Sequence, residues 1–166
     1  NMSMAPHYMT GRRGTKFGNI QMLDGLTKDG LLDVYNKVPM GNCAELCAKE
    51  HNITREDQDN FAIESYKRAA AAWENGKFSD EVVPVSVPQR KGDPKIIETD
   101  EVFKNVFLDK IPNLRPAFYK EGTITAANAS TLNDGASCLV LASEKAVKAH
   151  GLTQIGKIVS YADAAQ

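Results

Sequence analysis

Two cysteines stand four residues apart in the first predicted helix of this 166-residue chain, and they are the first candidates for chemistry. Cys43 and Cys47 would share one helix face, where a pair of thiolates can bind a metal ion. No further Cys or His lies at ligand spacing, so small buried packing residues are the favoured interpretation. Cys138 lies in an apolar segment without a neighbouring cation, and we expect a buried, unreactive thiol there.

The usual catalytic motifs are absent from the sequence. It contains no phosphate-binding glycine loop followed by Lys-Ser or Lys-Thr, and no Gly-x-Ser-x-Gly nucleophile elbow. Three histidines are isolated from one another along the chain, and each is expected to be a surface or half-buried residue rather than a base: His7, His51 and His150. No catalytic residue is therefore assigned.

A run of small and polar residues, Ala126–Ala136, is the remaining candidate. Small side chains let a backbone approach a ligand closely and leave amides and carbonyls free to contact it. Asn128, Ser130 and Asn133 add polar groups at short intervals. A tight turn, in which these side chains bond their own backbone, explains the same composition. The residues alone leave both interpretations open.

A long helix is the clearest element that could position these residues. Thr54 is a good N-cap, apolar residues recur at three- and four-residue steps from about 55 to 75, and Gly76 can end the helix. This pattern directs Tyr66 inward among small residues. A shorter helix is predicted before it, from about Gly41 to His51.

Strands and one more helix are predicted for the rest of the chain. β-branched or apolar runs predict strands at Glu81–Val87, Lys95–Thr99, Thr123–Thr125, Ala136–Ser143 and Ile155–Ala162. The segment Ser143–His150 is a predicted helix that Gly151 closes. The order fits the α/β class, with an insertion-like subdomain attached to part of an α/β core.

Composition excludes several classes of protein. The charges nearly cancel, with 20 Lys and Arg against 21 Asp and Glu. The basic excess of a nucleic-acid-binding protein is absent, and the apolar runs are far too short for a membrane span. We therefore expect neither nucleic acid nor a membrane as a partner. Three irregularly spaced cysteines argue against a disulfide framework and favour a reducing compartment.

Several motifs together resemble one family. The run Ala126–Ala136 is similar to the Asn-Ala-Ser-x-x-Asn-Asp-Gly-Ala signature of the thiolases. Four more motifs occur in that family's order and spacing: Met40–Glu45, Asp57–Ala62, Arg90–Asp93 and Leu114–Phe118. The chain is therefore identified as a member of the thiolases, and it resembles their biosynthetic branch.

The resemblance implies a fold of two similar α/β/α halves with a loop domain inserted in the first half. Residues 1–125 would form this loop domain, which binds coenzyme A and supports tetramer formation. Residues 126–150 would end the N-terminal half, and residues 151–166 would begin the C-terminal half with its first strand. The chain begins with Asn1 and ends without a closing element, so we expect an internal piece of a longer protein.

The implied activity is that of an acyltransferase of lipid metabolism, an acetyl-CoA C-acetyltransferase. It would condense two acetyl-CoA to acetoacetyl-CoA or catalyse the reverse thiolysis. The cysteine and histidine motifs that react in the family are absent here, so the 166 residues alone are expected to be inactive. Two alternatives are a degradative 3-ketoacyl-CoA thiolase and a non-catalytic thiolase-like module that binds acyl-CoA. A mitochondrial and a cytoplasmic location both fit.

The resemblance also implies which residues contact coenzyme A. Ser130 would hydrogen-bond the pantetheine arm, and Phe118 would pack against it. Lys110 would lie near the nucleotide end, and Met40 would line the acyl pocket. The remaining implied contacts are Tyr66, Asn105, Val106 and Phe107.

A potassium site is implied by four of the matching positions. They are the hydroxyl of Tyr66 and the main-chain oxygens of Ala126, Ala127 and Ala129. Neutral oxygen ligands of this kind suit a hard cation.

The resemblance further implies that residues 7–24 form a subunit contact. They correspond to the loop through which dimers pair into a homotetramer, and the arm carries the cations Arg12, Arg13 and Lys16. A solvated surface loop is the alternative interpretation.

Overall fold

The computed structural model describes residues 1–9, 11, 14 and 16–164 of the chain. Their contacts define two compact units, Asn1–Asn133 and a smaller one that begins at Asp134. Within this described part, no helix is long and apolar enough to cross a membrane.

Two helices form the frame of the larger unit. Helix α1 is Met40–Glu50 and helix α2 is Arg55–Glu74. α2 begins with a capping box, in which the Thr54 hydroxyl accepts from the amide of Asp57 and the Asp57 carboxylate accepts from the amide of Thr54. Two donors of the first turn are satisfied in this way. Gly76 follows the helix end with a φ of +64°. Both predicted helices are confirmed.

The first hairpin lies at the base of the predicted subunit-contact arm. Strand β1, His7–Tyr8, pairs antiparallel with strand β2, Leu23–Asp24. Of the three cations named for this arm, Lys16 is described, whereas Arg12 and Arg13 lie outside the described residues. The role of residues 7–24 in a tetramer stays a prediction.

The second hairpin is shorter than the sequence predicted. Strand β3, Val85–Val87, pairs antiparallel with strand β4, Lys95–Ile97. Pro84 directly precedes β3 and has no amide hydrogen, so it cannot extend the ladder of hydrogen bonds. Both predicted strands exist, but only the last three residues of the first pair with the first three residues of the second.

Three further helical segments belong to this unit: a π-helical turn at Thr27–Leu31, helix α3 at Val102–Asn105 and a 3-10 helix at Leu108–Asn113. The last two pack against α2. With the two residues between them, they carry four of the eight residues expected to contact coenzyme A, so α2 supports that side of the site.

The buried core lies where α2, the 3-10 helix and the segment 123–129 meet. Its buried residues are Ala48, Asp59, Ala62, Ile111, Ile124, Thr125 and Ala127. Asp59 and Thr125 are polar, and burying a polar group is tolerated only when it is hydrogen-bonded. No buried side-chain nitrogen or oxygen among the described residues lacks a partner. The core is therefore held by directed polar contacts as well as by packing.

Among its described residues, 134–164, the smaller unit contains one helix, α4, at Glu144–His150. The Ser143 hydroxyl caps its start by accepting from the amide of Ala146, and Gly151 ends it in the left-handed conformation with a φ of 59°. This local prediction is confirmed in detail.

The strands predicted on either side of α4 are not formed, and that prediction is wrong for the described residues. A strand exists only when a neighbour supplies its hydrogen bonds, and no strand of this unit does so. Apolar side chains that would face a sheet core are exposed instead, among them Leu139 at 84% and Val159 at 88%. Cys138, expected to be buried, is exposed for the same reason. The burial expected for the other two cysteines is also wrong, because in α1 Cys43 is half-buried and Cys47 is exposed.

Candidate functional site

The segment 123–129 is a tight turn that bonds its own backbone. The hydroxyl of Thr125 accepts from the amides of Ala127 and Asn128 at 3.3 and 3.4 Å, and the Thr125 carbonyl accepts from the amide of Ala129 at 3.0 Å. The side-chain oxygen of Asn128 accepts from the amide of Thr125 at 2.7 Å. Of the run Ala126–Ala136, residues 126–129 therefore belong to a turn closed by side chains of its own segment, as the second interpretation of that run expected. The strand predicted at Thr123–Thr125 is not formed, because side chains rather than a strand satisfy these amides.

Glu45 of α1 holds the entrance of this turn. Its carboxylate accepts hydrogen bonds at 2.9 Å from the amides of Thr123 and Ile124 and from the Thr123 hydroxyl. Partial burial raises the pKa of Glu45, but these hydrogen bonds to the charged form outweigh it and leave the pKa below its usual value. A β-carbon at Gly122 would lie 2.4 Å from this carboxylate, so a side chain there would displace Glu45.

A pair of charged residues on α2 holds the middle of the turn. Nε of Arg55 donates to Oδ2 of Asp59 at 2.7 Å, and Asp59 is 4% exposed. The other carboxylate oxygen of Asp59 accepts from Nδ2 of Asn128 at 3.0 Å. Nη2 of Arg55 donates to the carbonyls of Ile111 and Leu114, each at 3.0 Å. One ion pair thus connects the 3-10 helix to the turn.

Tyr66, also on α2, contacts the far side of the turn. It is half-buried, and its hydroxyl donates to the carbonyl of Ala127 at 3.0 Å. The inward orientation predicted from the helical period is confirmed. Two neutral oxygens, one from a side chain and one from the backbone, therefore lie next to each other at this point.

An open groove of about 450 Å³ lies between these elements. Two chain segments and Tyr66 line it: residues 101–114 on one side and residues 126–131 on the other. Among its lining residues are seven that the sequence singled out: Tyr66, Asn105, Val106, Phe107, Lys110, Ala126 and Ala127. The ammonium group of Lys110 lies 4.2 Å from the centroid of the Phe107 ring, as a cation–π contact requires.

A second, smaller groove of about 230 Å³ adjoins the first. Tyr66 and Ala127 line both grooves, while Ala129 and Ser130 line the second. Each of the four residues implied in potassium binding lines at least one of these two adjoining grooves. Among the described residues, no group of three or more His, Cys, Asp and Glu could hold a metal ion, so a cation here would depend on neutral oxygens.

Phe118 and Met40 lie at another place, at the start of α1. The Phe118 ring covers Gly41 so closely that a β-carbon on Gly41 would lie 2.1 Å from a ring carbon. Met40, the preceding residue, is 50% exposed. Neither residue lines the two grooves described above.

The sequence reasoning missed the residues that shape the site, which are Glu45, Arg55 and Asp59. A signal for two of them exists. Arg55 and Asp59 stand one helical turn apart, and Asp59 lies seven residues before Tyr66 and therefore on the same inward face. A charged pair on the apolar face of a helix indicates a buried partner elsewhere in the chain.

Comparison with known proteins gives the class of protein. The sequence profile of the family described as the thiolase N-terminal domain matches residues 1–145. The chain therefore belongs to the thiolase family, and the mixed α/β fold expected from the motifs is that of a piece of a thiolase.

Individual relatives carry more specific names. The chain is 54% identical over 99% of its length to a mitochondrial acetyl-CoA acetyltransferase of Gibberella zeae, and 52% identical over 100% to an acetyl-CoA acetyltransferase of Schizosaccharomyces pombe, whose name states no compartment. It spans 39% and 42% of the length of these two proteins. The structure also resembles a solved thiolase of Ascaris suum in complex with coenzyme A, with a TM-score of 0.73 and 47% sequence identity. The similarity covers 92% of this chain and 38% of the Ascaris suum chain.

Proposed function

We propose that the whole protein is an acetyl-CoA acetyltransferase, and that this chain supplies part of its coenzyme A site. The identity of about half of all residues to proteins of that name supports the reaction class. The observation that carries the assignment is the groove between residues 101–114 and 126–131, into which distant parts of the sequence bring the expected contacts. The Ascaris suum thiolase, a structure with bound coenzyme A, also supports it.

The chemistry of the groove fits the two ends of coenzyme A. Lys110 supplies a fixed positive charge for a phosphate group, and Phe107, 64% exposed, offers an apolar face beside it. Asn105 and Val106 extend this wall. Tyr66 and the small residues of the turn leave space and neutral polar groups for the amides of a pantetheine arm.

Three further contacts complete the proposed site. Ser130 is exposed in the adjoining groove, where its hydroxyl can bond the pantetheine arm. Phe118, 41% exposed, would pack against that arm. Met40 would line the acyl pocket, and its volume favours a short acyl chain.

A potassium ion fits the oxygens around Tyr66. The hydroxyl of Tyr66, the carbonyl of Ala127 beside it, and the carbonyls of Ala126 and Ala129 on the same turn would hold the ion. When bound, a monovalent cation would supply positive charge and rigidity to the turn without contributing a reacting group. Its proposed function is to fix the backbone that meets the cofactor.

The reacting groups are proposed to lie outside this chain. The parent enzyme would transfer an acetyl group by ping-pong kinetics through a cysteine, as covalent acyl transfer requires. The residues described here bind and orient the acyl-CoA. Residues 1–125 would form the loop domain, 126–150 the end of the N-terminal half and 151–166 the start of the C-terminal half. Residues 7–24 would pair dimers into a homotetramer.

The test is acetoacetyl-CoA formation from acetyl-CoA by the whole protein, together with thiolysis of 3-ketoacyl-CoA substrates of increasing chain length. We expect turnover with acetyl-CoA and a steep decline in kcat/KM from acetoacetyl-CoA to longer 3-ketoacyl-CoA substrates in the thiolysis direction. Preference for long chains would favour a degradative thiolase instead. Binding of acyl-CoA without turnover would identify a non-catalytic module. The compartment, mitochondrial or cytoplasmic, is left open by the relatives, since only some carry the mitochondrial label.

A further inference from the structure

Asp59 occupies an unusual place for a carboxylate. Its side chain is 6% exposed, it lies on the long helix rather than in the groove, and each of its two oxygens has a different partner. A buried charge is costly unless it is paired and hydrogen-bonded. Asp59 is paired with Arg55 and hydrogen-bonded to Asn128, so its buried charge is compensated.

The partners of Asp59 lead to the two sides of the groove. One oxygen accepts from Arg55, whose guanidinium also holds the carbonyls of Ile111 and Leu114 next to the Lys110 side. The other oxygen accepts from the amide of Asn128, which lies between Ala127 and Ala129 on the opposite side. One carboxylate therefore joins the two chain segments that line the groove.

We propose that Asp59 is a positioning residue that sets the distance between the two sides of the coenzyme A groove through Arg55 and Asn128. The inference rests on the proposed function, because the groove is assigned to coenzyme A there. Asp59 does not line the groove, so it acts on the ligand only through the residues that it holds.

The main variant for the test is Asp59→Asn in the whole protein. The amide replaces one of the two acceptor oxygens with an NH2 donor, which would face the N–H donor of either Arg55 or Asn128, so one side of the groove is released. We expect Kd for coenzyme A and KM for acetyl-CoA to rise at least about tenfold, with kcat within about twofold of wild type.

A matched control lies on the same helix. Glu64 pairs with Arg68 at the same four-residue spacing, but both side chains are largely exposed, at 53% and 78%. We expect Glu64→Gln to leave Kd and KM at wild-type values, because it removes an ion pair without releasing either side of the groove.

Two further variants separate positioning from general stability. Arg55→Lys keeps a positive charge for Asp59 but cannot reach both carbonyls, and we expect it to weaken coenzyme A binding while the protein remains folded. The double variant Asp59→Asn with Asn128→Asp restores a hydrogen bond between positions 59 and 128. In this bond the amide at position 59 donates and the carboxylate at position 128 accepts. The double variant should recover part of the affinity that Asn128→Asp loses by itself.

Calorimetric titration of coenzyme A gives the decisive outcomes. Weakened binding by every folded variant of the pair Asp59→Asn and Arg55→Lys, with Glu64→Gln unaffected, supports the inference. Wild-type Kd in either folded variant, or a lowered Tm without a change in Kd, overturns it. If Asp59→Asn does not fold, Arg55→Lys decides by the same criterion. A wild-type protein that binds no coenzyme A would instead overturn the proposed function.

Discussion

The hydroxyl of Tyr66 donates a 3.0 Å hydrogen bond to the carbonyl of Ala127, although 61 positions separate the two residues in the chain. The contact joins the long helix α2 to the small-residue turn of the thiolase signature. Ala127 is 8% exposed, so its carbonyl has little access to water as an alternative partner. This relationship attaches the turn to α2, in addition to the local hydrogen bonds that close the turn itself.

Replacing Tyr66 by Phe removes the donor and keeps the ring. We expect the free energy of unfolding of the whole protein to fall by about 1 kcal/mol, the net value of one hydrogen bond. If the proposed cation site is correct, coenzyme A affinity in potassium chloride and in choline chloride should also become equal. Urea unfolding and calorimetry in the two salts measure both effects. Retained potassium dependence in this variant would contradict the proposed ligand role of the hydroxyl.

Glu45 should make stability depend on pH in one direction. The pKa of Glu45 is lowered in the folded protein, so its stabilising effect is present above the usual Glu pKa of about 4.3 and is lost as the pH falls through the folded value. We expect Glu45→Gln to cost about 1–3 kcal/mol at pH 7 and progressively less below about pH 4.

Unfolding by urea at a series of pH values measures this difference between wild type and Glu45→Gln. Glu121 is an exposed glutamate two residues before Thr123, and Glu121→Gln is the control. A stability difference for Glu45→Gln that stays constant from pH 7 to pH 3.5 would show that the hydrogen bonds do not depend on the charge.

Gly41 should tolerate no side chain. A β-carbon there would lie 2.1 Å from the Phe118 ring, whereas at Gly30 the nearest atom would be 4.0 Å away. We expect Gly41→Ala to displace the ring, to lower the free energy of unfolding by about 1–3 kcal/mol and to weaken coenzyme A binding. Gly30→Ala is the control and should change neither quantity appreciably. Equal Tm values for the two variants would mean that Phe118 can move away at no cost.

The sequence could predict those structural features that depend on residues close to one another in the chain. The helices α2 and α4 follow from periodic apolar residues and from caps at Thr54 and Ser143, all of which act within one or two turns. The groove residues were predicted from a resemblance whose motifs are short and specific. The inward orientation of Tyr66 was predicted from the helical period.

Contacts between distant residues could not be predicted in the same way. Glu45 with Thr123 and Asp59 with Asn128 are separated by 78 and 69 positions, and no local pattern pairs them. The strands expected at 136–143 and 155–162 fail for a related reason. Their residues have the right composition, but a strand needs hydrogen bonds from a neighbour, which composition does not supply.

The most direct test of the central claim is titration of coenzyme A into the whole protein and its Lys110→Ala variant. Lys148, an exposed lysine of α4 paired with Glu144, provides the control Lys148→Ala. Losing one charge-assisted contact to a phosphate should weaken binding about tenfold or more. The account predicts a raised Kd for Lys110→Ala and an unchanged Kd for Lys148→Ala. Equal affinity of wild type and Lys110→Ala, or no binding by wild type, would contradict it.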